Sequence, residues 1–374
     1  MSHRPFRVML LTTAAHWRGS GLSYSKISRG LAERGHVVDL VVASDAVAEQ
    51  YATLGIPVHR LEVRGTGPRE IMALLAIARA ESTEIVIVDK PRDLRLAAWL
   101  SMLRPIRIVI RYNKMGKPGR SRFVDRWTAR RASAVLYQSA YIRDKAHAEL
   151  PLLAQLPTYV VPNGYDAPAI AASASPPAEW RARHGISPAE FVVLSAGFAE
   201  EDKRFDRSVE AIRLAALEGV RATFVFCGDG PCRGALEARA RDAGVRAVWL
   251  GMQSPSDALT AIGAADVLLH PSSVEIFGNV LAEAMALRTT IIATREGGNV
   301  EMLGADGATA MLVEDGCAES FASALAESYA NPDRRTALAA AAYERLVSTF
   351  PLSLMIDRYD DMLQGVANVP LGSQ

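Results

Sequence analysis

Several features are scarce in this 374-residue chain, and each shortage narrows the class of protein. There are three cysteines, Cys227, Cys232 and Cys317, and their spacing fits neither a disulfide scaffold nor a zinc site. We therefore expect a cytoplasmic protein. No apolar run approaches the roughly 18 residues that a membrane-spanning helix needs. The apolar stretch near the N-terminus is short and broken by Thr12 and Thr13, so it is interpreted as a buried strand rather than a signal peptide.

Net charge is also small, at +1, but the charges are unevenly distributed. Residues 1–167 contain 25 Lys and Arg against 14 Asp and Glu, whereas residues 168–374 contain 17 against 27. The excess is densest over residues 90–131, with 13 basic and 2 acidic side chains. This asymmetry favours an anionic partner for the first half. The alternative is a solvated face that only balances the acidic half.

The chain is longer than a single hydrophobic core usually supports, and its alternation of predicted strands and helices indicates two α/β domains. Runs of β-branched residues alternate with helical patterns in both halves, which predicts parallel sheets covered by helices on both faces. Residues 161–180 are rich in Pro, Ala, Ser and Gly and are interpreted as a linker. Two doubly wound halves place the site at the carboxyl ends of the strands.

The segment 270–286, HPSSVEIFGNVLAEAMA, places Glu275 and Glu283 eight positions apart across the start of a predicted helix. Phe277, Gly278 and Asn279 form the turn between them. A glycine turn that opens a helix offers backbone N–H groups and the positive end of a helix dipole, which suit a phosphate or a polyhydroxyl group. Taken alone, the pattern also fits an ordinary strand–turn–helix with two surface glutamates.

Other loops are expected at the same edge of the sheet. Each follows a predicted strand, and because the carboxyl ends of parallel strands meet at one edge, these loops would line one crevice. Singly they are weak turn signals, but their order along the chain is specific. They are GDGP (228–231), GM (251–252), HPSS (270–273) and the segment from Gly297 to Glu301.

Residues 191–313 resemble the donor-binding domain of retaining glycosyltransferases of family 4 (glycosyl transferases group 1). The E-x7-E signature of that family matches Glu275 to Glu283. Segments 162–166 and 18–21 resemble its inter-domain segment and first loop, and 350–363 its final helix. The resemblance implies the GT-B architecture, with two facing Rossmann-like doubly wound domains and an interdomain cleft. It further implies an acceptor-binding domain (1–167), a nucleotide-sugar domain (168–349) and a C-terminal helix (350–374) that returns to the first domain.

The resemblance also implies site roles. Glu275 would contact hydroxyls of the transferred sugar, and Lys203 the diphosphate. Glu283 would accept the two ribose hydroxyls of the nucleotide. The remaining donor-binding candidates hold the phosphates, the sugar or the base, namely Gly19, Gly21, Arg204, Gly251, Met252, Phe277, Gly278, Asn279 and Val280. The chain has no D-x-D motif, so we expect neither a metal nor another cofactor.

Two departures from the family pattern affect the expected chemistry. Phe198 stands where an arginine is usual, so one positive charge near the phosphates is missing. Arg204 is the first candidate to replace it and Arg207 the second. In the first domain, Arg111-Tyr112-Asn113 stands where a histidine is often found, so no catalytic histidine is assigned. The acceptor-side candidates are His16, Arg111, Asn113 and Lys114.

These inferences predict a retaining, metal-independent hexosyltransferase that uses a nucleotide-diphosphate sugar. Its departing phosphate would take the acceptor proton. The basic region 90–131 favours an anionic or lipid-linked acceptor, such as a phospholipid or a lipopolysaccharide core, and peripheral contact with the inner face of a membrane. No nucleic-acid partner is expected.

The alternatives are a small secondary-metabolite acceptor, a sugar-nucleotide epimerase of the same architecture, and a binding-only relative weakened by Phe198. A dinucleotide oxidoreductase is disfavoured because Tyr24 replaces the third glycine of the fingerprint.

Overall fold

A computed structural model describes residues 4–16, 19–112, 122–273, 275–314 and 316–369, with side chains at position 20 and at 122–125 left out. The chain divides into two compact units. The first combines Met1–Gly164 with Leu352–Gln374, and the second is Tyr165–Pro351. Each unit holds one parallel sheet flanked by helices, which confirms the predicted pair of Rossmann-like α/β domains.

The first unit contains a seven-stranded parallel sheet. Its strands are β1 (Arg7–Thr12), β2 (Val37–Val42), β3 (Val58–Arg60), β4 (Ile85–Val88), β5 (Arg107–Tyr112), β6 (Ala134–Tyr137) and β7 (Thr158–Val160). Its helices are α1 (Gly19–Glu33), α2 (Asp45–Thr53), α3 (Pro68–Ala80), α4 (Pro91–Leu103), α5 (Arg122–Ala129) and α6 (Ala140–Glu149), with a 3₁₀ turn at Pro151–Gln155. The strand order β3-β2-β1-β4-β5-β6-β7 reverses direction between β1 and β4.

The central strands of this sheet are apolar because both of their faces are covered. In β4 all four residues, IVIV, are buried, and Leu10 of β1 pairs with Leu40 on one side and Ile87 on the other. Such continuous apolar runs are what identified the strands in the sequence.

The second unit contains a six-stranded parallel sheet in the order β10-β9-β8-β11-β12-β13. Its strands are β8 (Phe191–Ala196), β9 (Ala222–Cys227), β10 (Ala247–Gly251), β11 (Val267–His270), β12 (Thr290–Thr294) and β13 (Met311–Val313). Its helices are α7 (Ala167–Ala172), α8 (Pro177–Arg183), α9 (Phe205–Leu217), α10 (Arg233–Asp242), α11 (Pro255–Ala264), α12 (Asn279–Ala286), α13 (Gly297–Leu303), α14 (Ala318–Ala330) and α15 (Pro332–Thr349). A 3₁₀ turn spans Glu201–Lys203. Here the strand order reverses between β8 and β11.

The chain passes from the first unit to the second between Gly164 and Tyr165, inside the segment 161–180 that was interpreted as a linker. Most of that segment is not a linker, because it contains α7 and the start of α8. Proline stands in the first turn of both helices, where its missing N–H is harmless. The Asp166 side chain caps α7 by accepting a hydrogen bond from the Ala169 N–H at 3.0 Å. Trp180 is 3% exposed and packs in the core of the second unit. A composition typical of linkers therefore encodes short helices here.

The final helix, α16 (Leu352–Ala367), is part of the first unit. Its apolar face packs in the core of that unit, and Ile356 lies so close to α1 that a Cβ atom at Gly30 would fall 2.5 Å from it. Polar contacts lie beside this face, with His36 Nε2 3.2 Å from Asp360 Oδ1. In the described ranges, no helix combines the length and apolar character needed to cross a bilayer.

Candidate functional site

A half-buried ion pair lies where the strand order of the second unit reverses. Lys203 follows β8 and Glu275 follows β11, and these strands are neighbours in the sheet. Lys203 Nζ donates to Glu275 Oε2 at 2.9 Å, and the two side chains are 24% and 15% exposed. Ligands of doubly wound sheets bind in the crevice at such a reversal, outside the carboxyl ends of the strands. The structure thus brings the two predicted catalytic residues together.

Glu275 is held from three sides. Its Oε1 accepts a hydrogen bond from the Gly278 N–H at 3.2 Å, and His270 Nε2 lies 3.4 Å from its Oε2. The His270 contact is at ion-pair range and is not an aligned hydrogen bond. Burial raises the pKa of Glu275, but His270 and Lys203 outweigh that effect and hold the pKa of this carboxyl well below its usual range. Glu275 is therefore ionised at neutral pH.

His270 belongs to this site. The sequence predicted that its loop, HPSS, lies at this edge but assigned no role to its side chain. His270 is 3% exposed and ends β11, directly before the Pro-Ser-Ser loop. The sequence signal for His270 is its position, because it is the polar last residue of the otherwise apolar strand β11.

The turn after Glu275 has the backbone shape that the sequence predicts. Gly278 has φ +51°, in the left-handed region, and immediately precedes α12. The Tyr165 hydroxyl donates to Asn279 Oδ1 at 2.7 Å, which fixes the first residue of the helix. Val280 follows in the first turn and is half-buried. The positive end of the α12 dipole therefore lies beside the Lys203–Glu275 pair.

Phe277 is a core residue of the turn. Its side chain is 2% exposed and packs edge-on against Phe350, with ring centroids 5.4 Å apart. Behind this turn, the Gly298 N–H donates to the Glu275 carbonyl at 3.0 Å. A Cβ atom at Gly298 would lie 2.3 Å from the Ile276 carbonyl oxygen, so glycine is needed for this close approach.

Glu283 is half-buried on α12 and lies close enough to the end of β9 to affect the Cys227 thiol. Burial and then the Glu283 carboxylate raise the pKa of Cys227 to about 12. Gly251 ends β10 with φ +70°, and the Met252 side chain beyond it is 72% exposed. Glu283 therefore approaches the end of β9, which neighbours β8, and Gly251 and Met252 lie at the end of β10, the next strand outward.

The GDGP loop supports the loop that leads to Lys203. The Ala199 N–H donates to the Asp229 carbonyl at 2.7 Å, and the Cys232 N–H donates to the Ala199 carbonyl at 2.9 Å. A Cβ atom at Gly228 would lie 1.9 Å from the Gly197 carbonyl oxygen. The glycines of GDGP thus permit two loops to touch.

Arg204 is next to the pair but is directed to another partner. Its guanidinium donates two 3.2 Å hydrogen bonds to the Asp206 carboxylate. Its own backbone has φ +51°, a conformation that is uncommon for a residue with a side chain. A phosphate contact by Arg204 would require its pair with Asp206 to open. Phe198, the departure from the family pattern, is 43% exposed.

The candidates in the first unit have different environments. His16 is exposed, Gly19 begins α1, and the Gly21 carbonyl accepts a hydrogen bond from the Tyr51 hydroxyl at 3.1 Å. Arg111 is 1% exposed at the end of β5 and is not a surface residue. The candidates Asn113 and Lys114 lie outside the described residues.

A group with metal-binding potential occurs elsewhere in the first unit. Among the residues with described positions, Asp39, His59 and Glu81 place one ligand atom each within 4.8 Å of one another. Glu81 precedes β4, so the group lies toward the amino ends of the strands rather than at the carboxyl edge. It does not belong to the Lys203–Glu275 site, which lies in the other unit.

Two doubly wound parallel-sheet units, with a lysine and a helix N-terminus at one strand-order reversal, define a two-domain α/β protein with a crevice that suits an anionic ligand. Within that class, the chain belongs to the group 1 glycosyltransferases of GT-B fold, which confirms the predicted resemblance. The family described as glycosyl transferases group 1 matches residues 177–345, and the glycosyl transferase 4-like domain matches residues 18–164.

Curated relatives are similar over part of their length. The lipopolysaccharide core biosynthesis glycosyltransferase LpsE of Rhizobium meliloti is 36% identical over 174 residues, which is 46% of this chain and 49% of the relative. The 2-deoxystreptamine glucosyltransferase of Streptomyces kanamyceticus is 32% identical over 185 residues, 48% of this chain and 47% of the relative. The chain thus spans about half the length of these relatives.

A solved structure is similar over nearly the whole fold. Anabaena Alr3699/HepE in complex with UDP and glucose aligns with a TM-score of 0.81 and 18% identity, covering 96% of this chain and 100% of that one. At this identity the likeness establishes the fold alone.

Proposed function

We propose that the protein is a retaining glycosyltransferase that moves a sugar from a nucleotide-diphosphate sugar to an acceptor without a metal. The observation that carries this proposal is the Lys203–Glu275 pair at the strand-order reversal of the second unit, next to the N-terminus of α12. A lysine and a helix N-terminus supply positive charge where the leaving diphosphate would develop negative charge. The relatives named above carry glycosyltransferase names, which supports the same reading.

The ionised state of Glu275 determines which role its carboxylate can have in the reaction. A carboxylate with a lowered pKa is a poor proton donor at neutral pH, so Glu275 accepts hydrogen bonds from sugar hydroxyls rather than acting as a general acid. Lys203 would move from Glu275 toward the diphosphate when a donor binds. In this mechanism the departing phosphate takes the acceptor proton, and the protein contributes positioning and charge stabilisation.

Glu283 would bind the ribose. It projects from α12 near the end of β9, and a carboxylate can accept hydrogen bonds from two neighbouring hydroxyls. Gly251 and the exposed Met252 at the end of β10 would border the base. The nucleotide would therefore lie along the edge formed by β9 and β10.

We test the nucleotide site by thermal stabilisation with UDP, GDP and ADP. At least one of them should raise the melting temperature of the wild-type chain, because a ligand that binds the folded state stabilises it. Glu283→Ala should remove that stabilisation. Glu218→Ala is the matched control, since Glu218 is an exposed glutamate at the end of α9 in the same unit. If Glu283→Ala retains the full nucleotide effect, the assignment of this residue is wrong.

For the acceptor, we propose an anionic or lipid-linked molecule met at a membrane surface. Residues Trp99, Met102 and Leu103 of α4 are 43%, 52% and 50% exposed. The Trp127 ring of α5 lies 4.8 Å from the Trp99 ring, and the Arg131 guanidinium lies 5.7 Å from the Trp127 ring. Exposed apolar and aromatic side chains beside arginines are typical of surfaces that contact anionic lipid.

The basic region 90–131 is divided in the structure. Arg111 is buried, and Arg104 and Arg107 donate to the backbone carbonyls of Thr83 and Val369. Among the basic side chains of this run that the structure describes, those of Arg92 in α4, Arg126 in α5 and Arg130 just after α5 are exposed. Membrane contact would therefore involve the α4–α5 surface rather than the whole basic run. A small natural-product acceptor is the alternative, as the name of the 2-deoxystreptamine glucosyltransferase indicates for that relative.

The membrane proposal predicts sedimentation with phosphatidylglycerol vesicles at low salt and release at high salt. The double variant Trp99→Ala/Leu103→Ala should bind these vesicles more weakly, because both apolar side chains are lost from α4. Leu217→Ala is the control, since Leu217 is 76% exposed in the second unit. Equal binding to neutral and anionic vesicles, or no effect of the double variant, would contradict the proposal.

A further inference from the structure

An aspartate interrupts the apolar strand β2 in the sheet of the first unit. Asp39 lies within the sequence VVDLVV of β2, and its side chain is 13% exposed. A carboxylate is rarely this buried unless a partner compensates its charge. Its Oδ2 atom is buried and has no hydrogen-bond partner among the described residues. The position of Asp39 therefore implies a positively charged partner.

Two further side chains meet Asp39 near the edge of this sheet. The register of β2 and β3 places His59 beside Val41, and Val41 shares a face with Asp39 because alternate residues of a strand do. Glu81 directly follows α3, the helix between β3 and β4. His59 Nε2 lies 3.5 Å from Asp39 Oδ1 and 3.7 Å from Glu81 Oε1. One imidazole nitrogen thus faces two carboxylates.

The spacing of these three groups resembles that of ligands around a metal ion. Both contacts of His59 exceed the roughly 3.2 Å upper limit that is typical of N–H···O hydrogen bonds, and a single N–H cannot align with both carboxylates. Ligands about 2.1 Å from a tetrahedral Zn²⁺ lie roughly 3.4 Å from one another. The ligand atoms of Asp39, His59 and Glu81 all lie within 4.8 Å of one another. Small side-chain rotations would bring them to the spacing of metal ligands.

The electrostatics of the group also favour a cation. Burial and then the Glu81 carboxylate raise the pKa of Asp39, because two negative charges lie close together. Glu81 stands at the C-terminus of α3, where the helix dipole is negative. Arg7 lowers the pKa of Asp39 less than His59 does, and its guanidinium donates to the Glu81 carbonyl oxygen at 3.1 Å. A bound dication would compensate both carboxylates.

We propose that Asp39, His59 and Glu81 form a binding site for Zn²⁺ or a similar first-row transition dication. The ligand atoms determine the class of ion. One imidazole nitrogen with two carboxylates suits Zn²⁺, whereas Mg²⁺ prefers oxygen ligands and retains several of its water molecules. Three protein ligands leave a fourth position for water.

The ion would stabilise the edge of the first unit's sheet. Strand β3 has three residues, lies at the end of the strand order and pairs with β2. So short an edge strand has few backbone hydrogen bonds to resist local opening. A dication with ligands on β2, β3 and the end of α3 would hold these elements together. Its role would be structural, and it would take no part in the proposed sugar transfer, whose donor site lies in the second unit.

The test is a calorimetric titration of the full chain with Zn²⁺ after removal of metal with EDTA, with Mg²⁺ titrated in parallel. The variants are His59→Gln, Asp39→Asn and Glu81→Gln, because each removes one imidazole or carboxylate ligand and retains a polar side chain of similar size. His184→Gln is the matched control, since His184 is a half-buried histidine directly after α8 in the second unit. Hydrogen exchange of the β1 and β4 amides identifies any variant whose first unit is unfolded.

We expect Zn²⁺ to bind the wild type and the folded ligand variants to raise its Kd by about 10-fold or more, since the loss of groups that merely orient metal ligands already costs that much. His184→Gln should bind Zn²⁺ as the wild type does. Zn²⁺ should also slow hydrogen exchange of the β2 and β3 amides and leave that of β8 and β11 unchanged. The inference is overturned if Zn²⁺ does not slow exchange in β2 and β3, if the folded variants bind Zn²⁺ normally, or if Mg²⁺ binds as tightly as Zn²⁺.

Discussion

At the residue scale, Glu275 shows how neighbours decide what a carboxylate can do. It is 15% exposed, and burial without partners would favour its neutral form. Lys203 at 2.9 Å and His270 at 3.4 Å instead favour the ionised form. A pair of glutamates in a site could otherwise suggest acid–base catalysis. Here the environment supports an orienting role for Glu275.

This arrangement predicts a pH-dependent contribution of Glu275 to stability. The pKa of Glu275 is lower in the folded chain than the roughly 4.3 of an unfolded glutamate, so ionisation stabilises the folded state above that value and the effect is lost as pH falls toward the folded pKa. Wild type should exceed Glu275→Gln in free energy of unfolding by on the order of 2 kcal/mol from pH 6 to 8, and this difference should shrink below about pH 5.

Urea unfolding of both proteins between pH 3 and pH 8 measures this difference directly. Glu218→Gln serves as the control because Glu218 is exposed and its stability difference should not change with pH. A Glu275→Gln difference that stays constant down to pH 3 would show that the folded-state carboxyl is not held in its ionised form.

The sequence could predict a site residue where the local pattern alone determines its conformation. Gly278 is an example, because a turn that opens a helix calls for a residue tolerant of positive φ. His270 could not be assigned in this way, since its contact with Glu275 depends on how β11 and the following loop meet. Likewise, the Arg204–Asp206 pair depends on the side-chain directions of a left-handed residue.

At the scale of elements, the site depends on the contact between α13 and the Glu275 turn. The Gly298 N–H donates to the Glu275 carbonyl at 3.0 Å, and a Cβ atom at this position would fall within 2.8 Å of two backbone carbonyl oxygens. Backbone cannot yield as a flexible side chain can. The second glycine of the Gly297-Gly298 pair therefore positions the carboxylate without touching a ligand.

Gly298→Ala should accordingly displace the Glu275 turn and lower the free energy of unfolding by about 1–3 kcal/mol, as overpacking does. Nucleotide-dependent stabilisation should fall as well, because the turn leads into α12. Gly234→Ala is the control, since Gly234 lies on α10 with no atom within 4 Å of an added Cβ. Equal stability of the two variants in chemical unfolding would show that the turn does not need the close approach.

At this scale, amino-acid composition predicted the strands well but did not predict two short helices. The apolar strands were evident because burial on both faces requires continuous apolar runs, as in β4. Residues 161–180 have the Pro and Ala content of a linker, yet Asp166 caps a helix there and Trp180 enters the core of the second unit. Only tertiary contact distinguishes such short helices from a linker.

At the scale of the whole molecule, both sheets carry a polar cluster where the strand order reverses. In the second unit the reversal lies between β8 and β11 and holds Lys203 and Glu275, and in the first it lies between β1 and β4 and holds Asp89 and Asp93. Topology thus explains why residues far apart in sequence meet. Strand order is a property of tertiary packing, so the sequence could indicate that such crevices exist but not which loops share them.

The two units differ in whether they are built from one continuous segment of the chain or from two. The second unit is one continuous segment, Tyr165–Pro351, whereas the first needs α16 from the end of the chain. Helix α16 contributes Met355, Ile356 and Tyr359 to the core of the first unit, so its removal would expose apolar surface there. The two units should therefore respond differently to truncation.

We expect a fragment of residues 165–351 to fold alone and to keep nucleotide-dependent thermal stabilisation. A chain that ends at residue 351 should instead lose the protection of β1 and β4 amides in hydrogen exchange while keeping that of β8 and β11. The substitution Ile356→Asp in the full chain is a milder version of the same change, because it places a charge in the α1–α16 contact. Full protection of β1 in the truncated chain would show that the first unit is complete without α16, and its core would then have to be closed by other residues.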